Sequence, residues 1–216
     1  MKDSLNDFFT NNSSSLCLTK RIESSFIYNE FSLQFELAYF LRKKNFKVYF
    51  EKNVNEILNN NIFENNRNEH NRIKSKREID LYCKNGDFDY FIELKFHKSK
   101  NSKIPETMFD ILKDFDLLNR ISSIGENYKC YQITVIDSSS FNNGNEDAGR
   151  NDNSKVLYRT FRKDRKISPI RYFKPTAIED REKFVDLNGI NKNGITLNWK
   201  NVIINNKVYN YFICEL

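Results

Sequence analysis

Residues 78–96 read EIDLYCKNGDFDYFIELKF, two runs of strand-forming residues joined at Asn85-Gly86. An Asn-Gly pair between alternating apolar segments is a strong short-range hairpin signal. Side chains alternate faces along a strand, so Glu93 and Lys95 share one face. Tyr90, Ile92, Leu94 and Phe96 make the other face apolar. With Asn85-Gly86 as a two-residue turn, Lys84 pairs with Asp87 and Asp80 with Phe91. Asp80 then lies diagonal to Glu93, roughly 7–8 Å away between backbones. A four-residue turn centred one place later would set Asp80 directly opposite Glu93. Any even loop keeps Asp80, Glu93 and Lys95 on one face.

Outward from this hairpin, elements of both kinds are legible. Residues 32–44, SLQFELAYFLRKK, place Leu33, Leu37, Phe40 and Leu41 at helical spacing, with Ser32 as the expected cap and Asn45 as the stop. FKVYF (46–50) reads as a strand. Residues 51–76 are expected to hold a short helix and then a loop. Residues 105–122 carry a helical stripe through Met108, Ile111, Leu112, Phe115, Leu118 and Ile121, with Pro105 at the opening. YKCYQITVID (128–137) reads as a buried strand and 138–153 as a loop. The end, GITLNWKNVIINNKVYNYFICEL, reads as two strands around Asn205-Asn206. The expected fold is α/β: a central mixed sheet flanked by helices, with a C-terminal β-hairpin extension. Residues 1–31 read as an N-terminal arm, polar through residue 16, residues 32–137 as the core, and 138–216 as an extension packed on the same domain.

Composition narrows the chemistry. The four cysteines, Cys17, Cys83, Cys130 and Cys214, are scattered without a CxxC pair, and there are two histidines, which argues against a zinc cage. The same scatter in a 216-residue chain argues against a disulfide framework. No apolar run approaches the ~20 residues that span a bilayer. The opening MKDSLNDFFTNNSSS has no apolar signal core, so a reduced, cytoplasmic protein with no membrane partner is expected. The net charge of +6 and pI of about 9.0 suit a polyanionic partner.

Two carboxylates and an amine on one patch suit a divalent cation. Mg²⁺ takes one or two carboxylates, several waters and phosphate oxygens, and can activate an attacking water. A neighbouring lysine can orient or deprotonate that water, or offset charge building on phosphorus. The bland alternative is a solvated strand face whose charges pair across the hairpin for a few tenths of a kcal/mol.

The run Glu78-Ile79-Asp80, then Ile92-Glu93-Leu94-Lys95-Phe96, resembles the PD-(D/E)xK nuclease superfamily, with Ile79 where the family often has proline. The family's order of helix, three strands, helix, strand is similar to residues 32–137. The resemblance implies a restriction-endonuclease-like core, with Asp80 and Glu93 as metal ligands and Lys95 as the catalytic lysine. It also implies a helix glutamate, for which Glu36 fits and Glu51 is the weaker alternative. The implied activity is a Mg²⁺-dependent DNA endonuclease of restriction, defence or repair type, with Mn²⁺ able to substitute and DNA favoured over RNA. Cutting both strands would call for a homodimer. Lys98, Lys100 and Lys103, just past the catalytic strand, are expected to touch phosphates. The basic segment 155–174, with Arg162, Lys163, Arg165 and Lys166 among Tyr158, Phe161, Tyr172 and Phe173, is expected to track a nucleic-acid backbone. Two competing readings are a catalytically inactive nucleic-acid-binding module with the same fold, and an interaction protein that docks an acidic partner.

Overall fold

The computed structural model describes residues 1–11, 15–58, 78–98, 104–137, 141, 151–163, 165–175, 184–190 and 194–216. Lys100 and Lys103 lie outside these residues, as do 59–77 and most of the 138–153 loop.

Alternation builds the sheet. Strands β1 (Lys47–Asn53), β2 (Glu78–Asn85), β3 (Phe88–His97) and β4 (Tyr128–Ile136) join the hairpin β9 (Lys200–Ile204) and β10 (Lys207–Glu215) in the order β1-β2-β3-β4-β10-β9. All neighbours are antiparallel except β3 and β4, which run parallel. A parallel neighbour needs a crossover, and helix α5 (Ile104–Ser122) supplies it. The C-terminal turn is Asn205-Asn206, both at positive φ, as a two-residue type I′ hairpin requires.

The two sheet faces bury different sets. Leu81, Cys83, Ile92, Leu94, Ile133 and Val135 pack against helix α3 (Glu30–Lys43) and the N-terminal helices. Tyr82, Phe91 and Cys130 pack against Leu117, Leu118 and Ile121 of α5. Further along α5, Met108, Ile111, Leu112 and Phe115 meet Ile136, Phe212 and helix α6 (Asp152–Thr160). The short helix α4 (Val54–Leu58) packs Val54 and Leu58 beside Ile79. Two pairs of short strand segments, β5 (Lys166–Ile167) with β8 (Ile195–Thr196) and β6 (Arg171–Phe173) with β7 (Phe184–Asp186), complete the C-terminal part as two small sheets.

Residues 1–31 are not an arm. Helices α1 (Lys2–Thr10) and α2 (Leu18–Glu23) bury Leu5, Phe8, Phe9, Leu18 and Ile22 in the core under α3. Phe9 stacks on Tyr211 with ring centroids 4.9 Å apart. Leu5, Phe8 and Phe9 have helical spacing, but the polar run of Asn and Ser that follows them masks it in the sequence.

The cap of helix α3 lies three residues before the expected Ser32. Asn29 is the N-cap: its side chain accepts from Ser32 N–H, and the Ser32 hydroxyl accepts from Asn29 N–H, a reciprocal capping box. At the other end Asn45 takes φ +66°, and Phe46 N–H reaches back to Leu41 C=O, closing the helix with a Schellman motif.

Candidate metal and phosphodiester site

The site lies where two strands part. The hairpin loop is Gly86-Asp87, one place later than the Asn-Gly dipeptide suggested, so Asn85 pairs with Phe88 and Lys84 with Asp89. Gly86 takes φ +59°, the left-handed backbone that a glycine adopts without steric penalty. Counting on from Leu81↔Ile92, the last residues in register, sets Asp80 opposite Glu93 rather than Phe91. The slip is two places in register, so the shared face survives.

Beyond Leu81 the ladder gives way to side chains. Asp80 Oδ2 accepts the Leu94 N–H at 2.7 Å, and Glu30 Oε2 accepts the Phe96 N–H at 3.3 Å. The β3 edge exposed by the departure of β2 is thus capped by two carboxylates. On β2, Gln34 Nε2 donates to the Asp80 carbonyl at 2.6 Å and to Glu51 Oε1 at 2.7 Å. Buried backbone groups need such partners, and here polar side chains provide them.

Lys95 sits in the same notch. Its Nζ lies 3.0 Å from Asp114 Oδ2 on α5, 3.5 Å from Glu30 Oε1 on α3, and 3.0 Å from the Leu94 carbonyl. The two helices cover opposite sheet faces, so the ammonium is held from both sides. Burial opposes its charge, but Asp114, Glu30, Glu93 and Asp80 outweigh that and hold it protonated well above the ordinary lysine range. Asp80 and Glu93 are 5% and 0% exposed, so these charges interact in a medium far less screening than water. Beside them on β4, Gln132 lies level with Glu93 and Thr134 with Lys95.

Asp80, Glu93 and Lys95 therefore come together, while Glu36 does not join them. It lies two residues beyond Gln34, roughly 200° around the helix, and its carboxylate is clasped by the Arg21 guanidinium of α2. The helix residues that turn to the notch are Glu30 and Gln34, one turn apart. Glu51 reaches its rim through Gln34. The sequence reading missed Glu30, Gln34 and Asp114. Asp114 had a signal: it falls three residues after Ile111 and four before Leu118, an acid inside an apolar stripe.

Of the expected phosphate contacts, Lys98, Lys163, Arg165 and Lys166 are exposed and Arg162 is half-buried. Three of the aromatics in the basic segment are core residues instead of stacking platforms: Tyr158, Phe161 and Tyr172 are buried in the α5–α6 cluster. His97 is buried beside Thr107, whose Oγ1 lies 3.1 Å from Nδ1. Trp199 packs against the same cluster and donates to the Phe161 carbonyl. All four cysteines are buried free thiols, and burial pushes Cys83 and Cys214 up to about 12, which removes thiolate chemistry. No helix among the described residues is long and apolar enough to cross a membrane.

No family model, curated protein or solved structure matches this chain.

Proposed function

We propose that the chain is a Mg²⁺-dependent nuclease of the PD-(D/E)xK type, hydrolysing phosphodiester bonds at Asp80, Glu93 and Lys95. The observation that carries this reading is the parted β2–β3 edge. There Asp80 Oδ2 accepts the Leu94 N–H, between Glu93 and Lys95 in sequence, and one ammonium stands among four carboxylates. That balance leaves excess negative charge in a poorly screened notch, and a divalent cation would offset it.

The donors suit a hard cation. Asp80 and Glu93 provide carboxylate oxygens, and the Leu94 carbonyl points into the same notch, since it already accepts from Lys95 Nζ. Among the described residues no group of three or more His, Cys, Asp or Glu is placed to hold a metal ion. Mg²⁺ does not need such a group, because waters and phosphate oxygens fill most of its six positions. When bound, the ion supplies Lewis-acid polarisation of a phosphoryl oxygen and lowers the pKa of a bound water.

The chain's own residues do the rest. Lys95, held cationic by the carboxylates around it, serves as a positive donor toward phosphate oxygens. Asp114 and Glu30 position that ammonium from the two helices. Gln34 and Glu30 hold the two strands apart, keeping the notch open at the end of β3.

A second reading, the inactive nucleic-acid-binding module, is favoured by one feature: Lys95 is engaged at 3.0 Å by a buried aspartate. Cleavage assays separate the two. With Mg²⁺ or Mn²⁺ the purified protein is expected to cut plasmid or oligonucleotide DNA, and EDTA to stop it. Asp80→Asn and Lys95→Ala should each lose about 100-fold or more. Cutting by both variants at the parental rate would refute the assignment.

A further inference from the structure

The outer face of α3 carries Phe31, Phe35 and Tyr39 at four-residue spacing, and the segment before the helix adds Phe26 and Tyr28. Phe31 is 70% exposed, Phe35 and Tyr28 are both 55%, and Phe26 is 52%. The inward face of the helix is already complete with Leu33, Leu37, Ala38 and Leu41. The fold therefore has no use for the outer rings, and a contiguous exposed apolar patch of this kind marks a binding surface.

Cations stand over these rings. Lys43 lies 5.5 Å from the Tyr39 centroid and Lys98 5.9 Å from Tyr28, while Arg21, 4.5 Å from Phe26, is already paired with Glu36. Tyr28 and Lys98 also line a cavity of about 270 Å³ with Phe96, Asn205, Lys207 and Tyr209. Glu30, next to Phe31 at the start of α3, links the two regions: it accepts the N–H of Phe96, which lines the cavity, and pairs with Lys95 in the notch.

We infer that this aromatic track seats an unpaired polynucleotide strand and leads it past Tyr28 and Lys98 into the Asp80–Glu93–Lys95 notch, so that single-stranded nucleic acid is the substrate class. This rests on the nuclease reading for its last step only. Rings interleaved with cations match a strand whose bases stack and whose phosphates need neutralising. A dry protein interface would instead exclude charge from its centre. A rise of 1.5 Å per residue sets successive rings about 6 Å apart, room for one base at each. Bases in a duplex are already stacked and offer edges, so the rings select an unpaired strand.

The test is fluorescence anisotropy in EDTA, where no cutting occurs, with labelled oligothymidylate, oligouridylate and a duplex of equal length. Wild type should favour the single strands, and comparison of the first two separates DNA from RNA. Phe31→Ala and Phe35→Ala should each weaken single-strand binding about five-fold or more. Both rings are outside the core, and unchanged thermal melting would verify that the variants fold. Leu at either site should bind as weakly as Ala, because it lacks a stacking face. Equal affinity for duplex, unchanged binding by the Ala variants, or full binding by the Leu variants would overturn the inference. So would a dimer in sedimentation that the Ala variants abolish, since the patch would then belong to a second copy. If the strands bind as expected but Mg²⁺ brings no cleavage, only the nuclease reading falls. If Mg²⁺ brings cleavage and the ring variants bind normally, only the track falls.

Discussion

At Asp80 one carboxylate is tied to both fold and chemistry, because its Oδ2 caps the Leu94 N–H on the parted strand edge. Removing it by Asp80→Ala would leave a buried donor unsatisfied, at about 1–3 kcal/mol. Asp80→Asn keeps an oxygen acceptor but not the anion. It should therefore melt close to the parent while losing cleavage, and differential scanning calorimetry alongside the assay checks both halves. A large drop in melting temperature for the Asn variant would mean that the charge itself is structural. Lys95→Ala is a harsher change, since it strips the one ammonium from among Asp114, Glu30, Glu93 and Asp80. Breaking a buried ion pair costs about 3–5 kcal/mol. Added Mn²⁺ should restore more thermal stability to this variant than it adds to the parent, because the ion replaces the lost charge. Equal metal shifts in the two proteins would argue against a cation site in the notch.

At the scale of single elements, helix α1 offers the sharpest check on the fold. Phe8 is fully buried and its ring lies 5.3 Å from that of Phe40 on α3. Phe8→Ala should cost about 3–5 kcal/mol, read as a fall in the urea midpoint. A frayed arm would show almost no change. Asn29→Ala should cost about 1 kcal/mol by removing the α3 N-cap. The elements themselves were legible wherever pattern and punctuation agreed. The α5 stripe, the Asn45 stop and the Asn205-Asn206 turn all gave local signals that the chain obeys. The β2–β3 turn slipped because Asn85-Gly86-Asp87 allows two placements, and only the paired strands choose between them. The acid–acid–lysine face survived that slip, since side-chain direction depends on parity and not on the loop. Glu30, Gln34 and the true place of Glu36 were not legible, because which side of a half-apolar helix meets a strand edge is a tertiary fact. Residues 138–216 read as an extension packed on the same domain, and the part the pattern did not foretell is that β10 lies beside β4 within the central sheet.

For the whole molecule, buried proton-binding groups set the response to alkali. Burial raises Cys83 and Cys214 from an ordinary 9.0 to about 12, and it raises Tyr131 and Tyr211 as well. Between pH 9 and 12 the folded chain holds protons that the unfolded chain releases, so stability falls as pH rises through that window and is fully retained below it. The urea midpoint should be level up to about pH 8.5 and decline above 9. A midpoint that climbed over the same range would contradict the buried placement of these groups. The same burial predicts that the native protein leaves its four thiols unreacted with a chromogenic disulfide reagent until denaturant is added.

The central claim concerns one notch and one kind of ion, and anomalous diffraction from a crystal soaked in Mn²⁺ tests it most directly. The account predicts a single strong anomalous peak contacting both Asp80 and Glu93, with the Lys95 ammonium beside it and the peak absent from Asp80→Asn crystals. A notch with no anomalous density, in which Lys95 stays closed on Asp114 at saturating Mn²⁺, would contradict it.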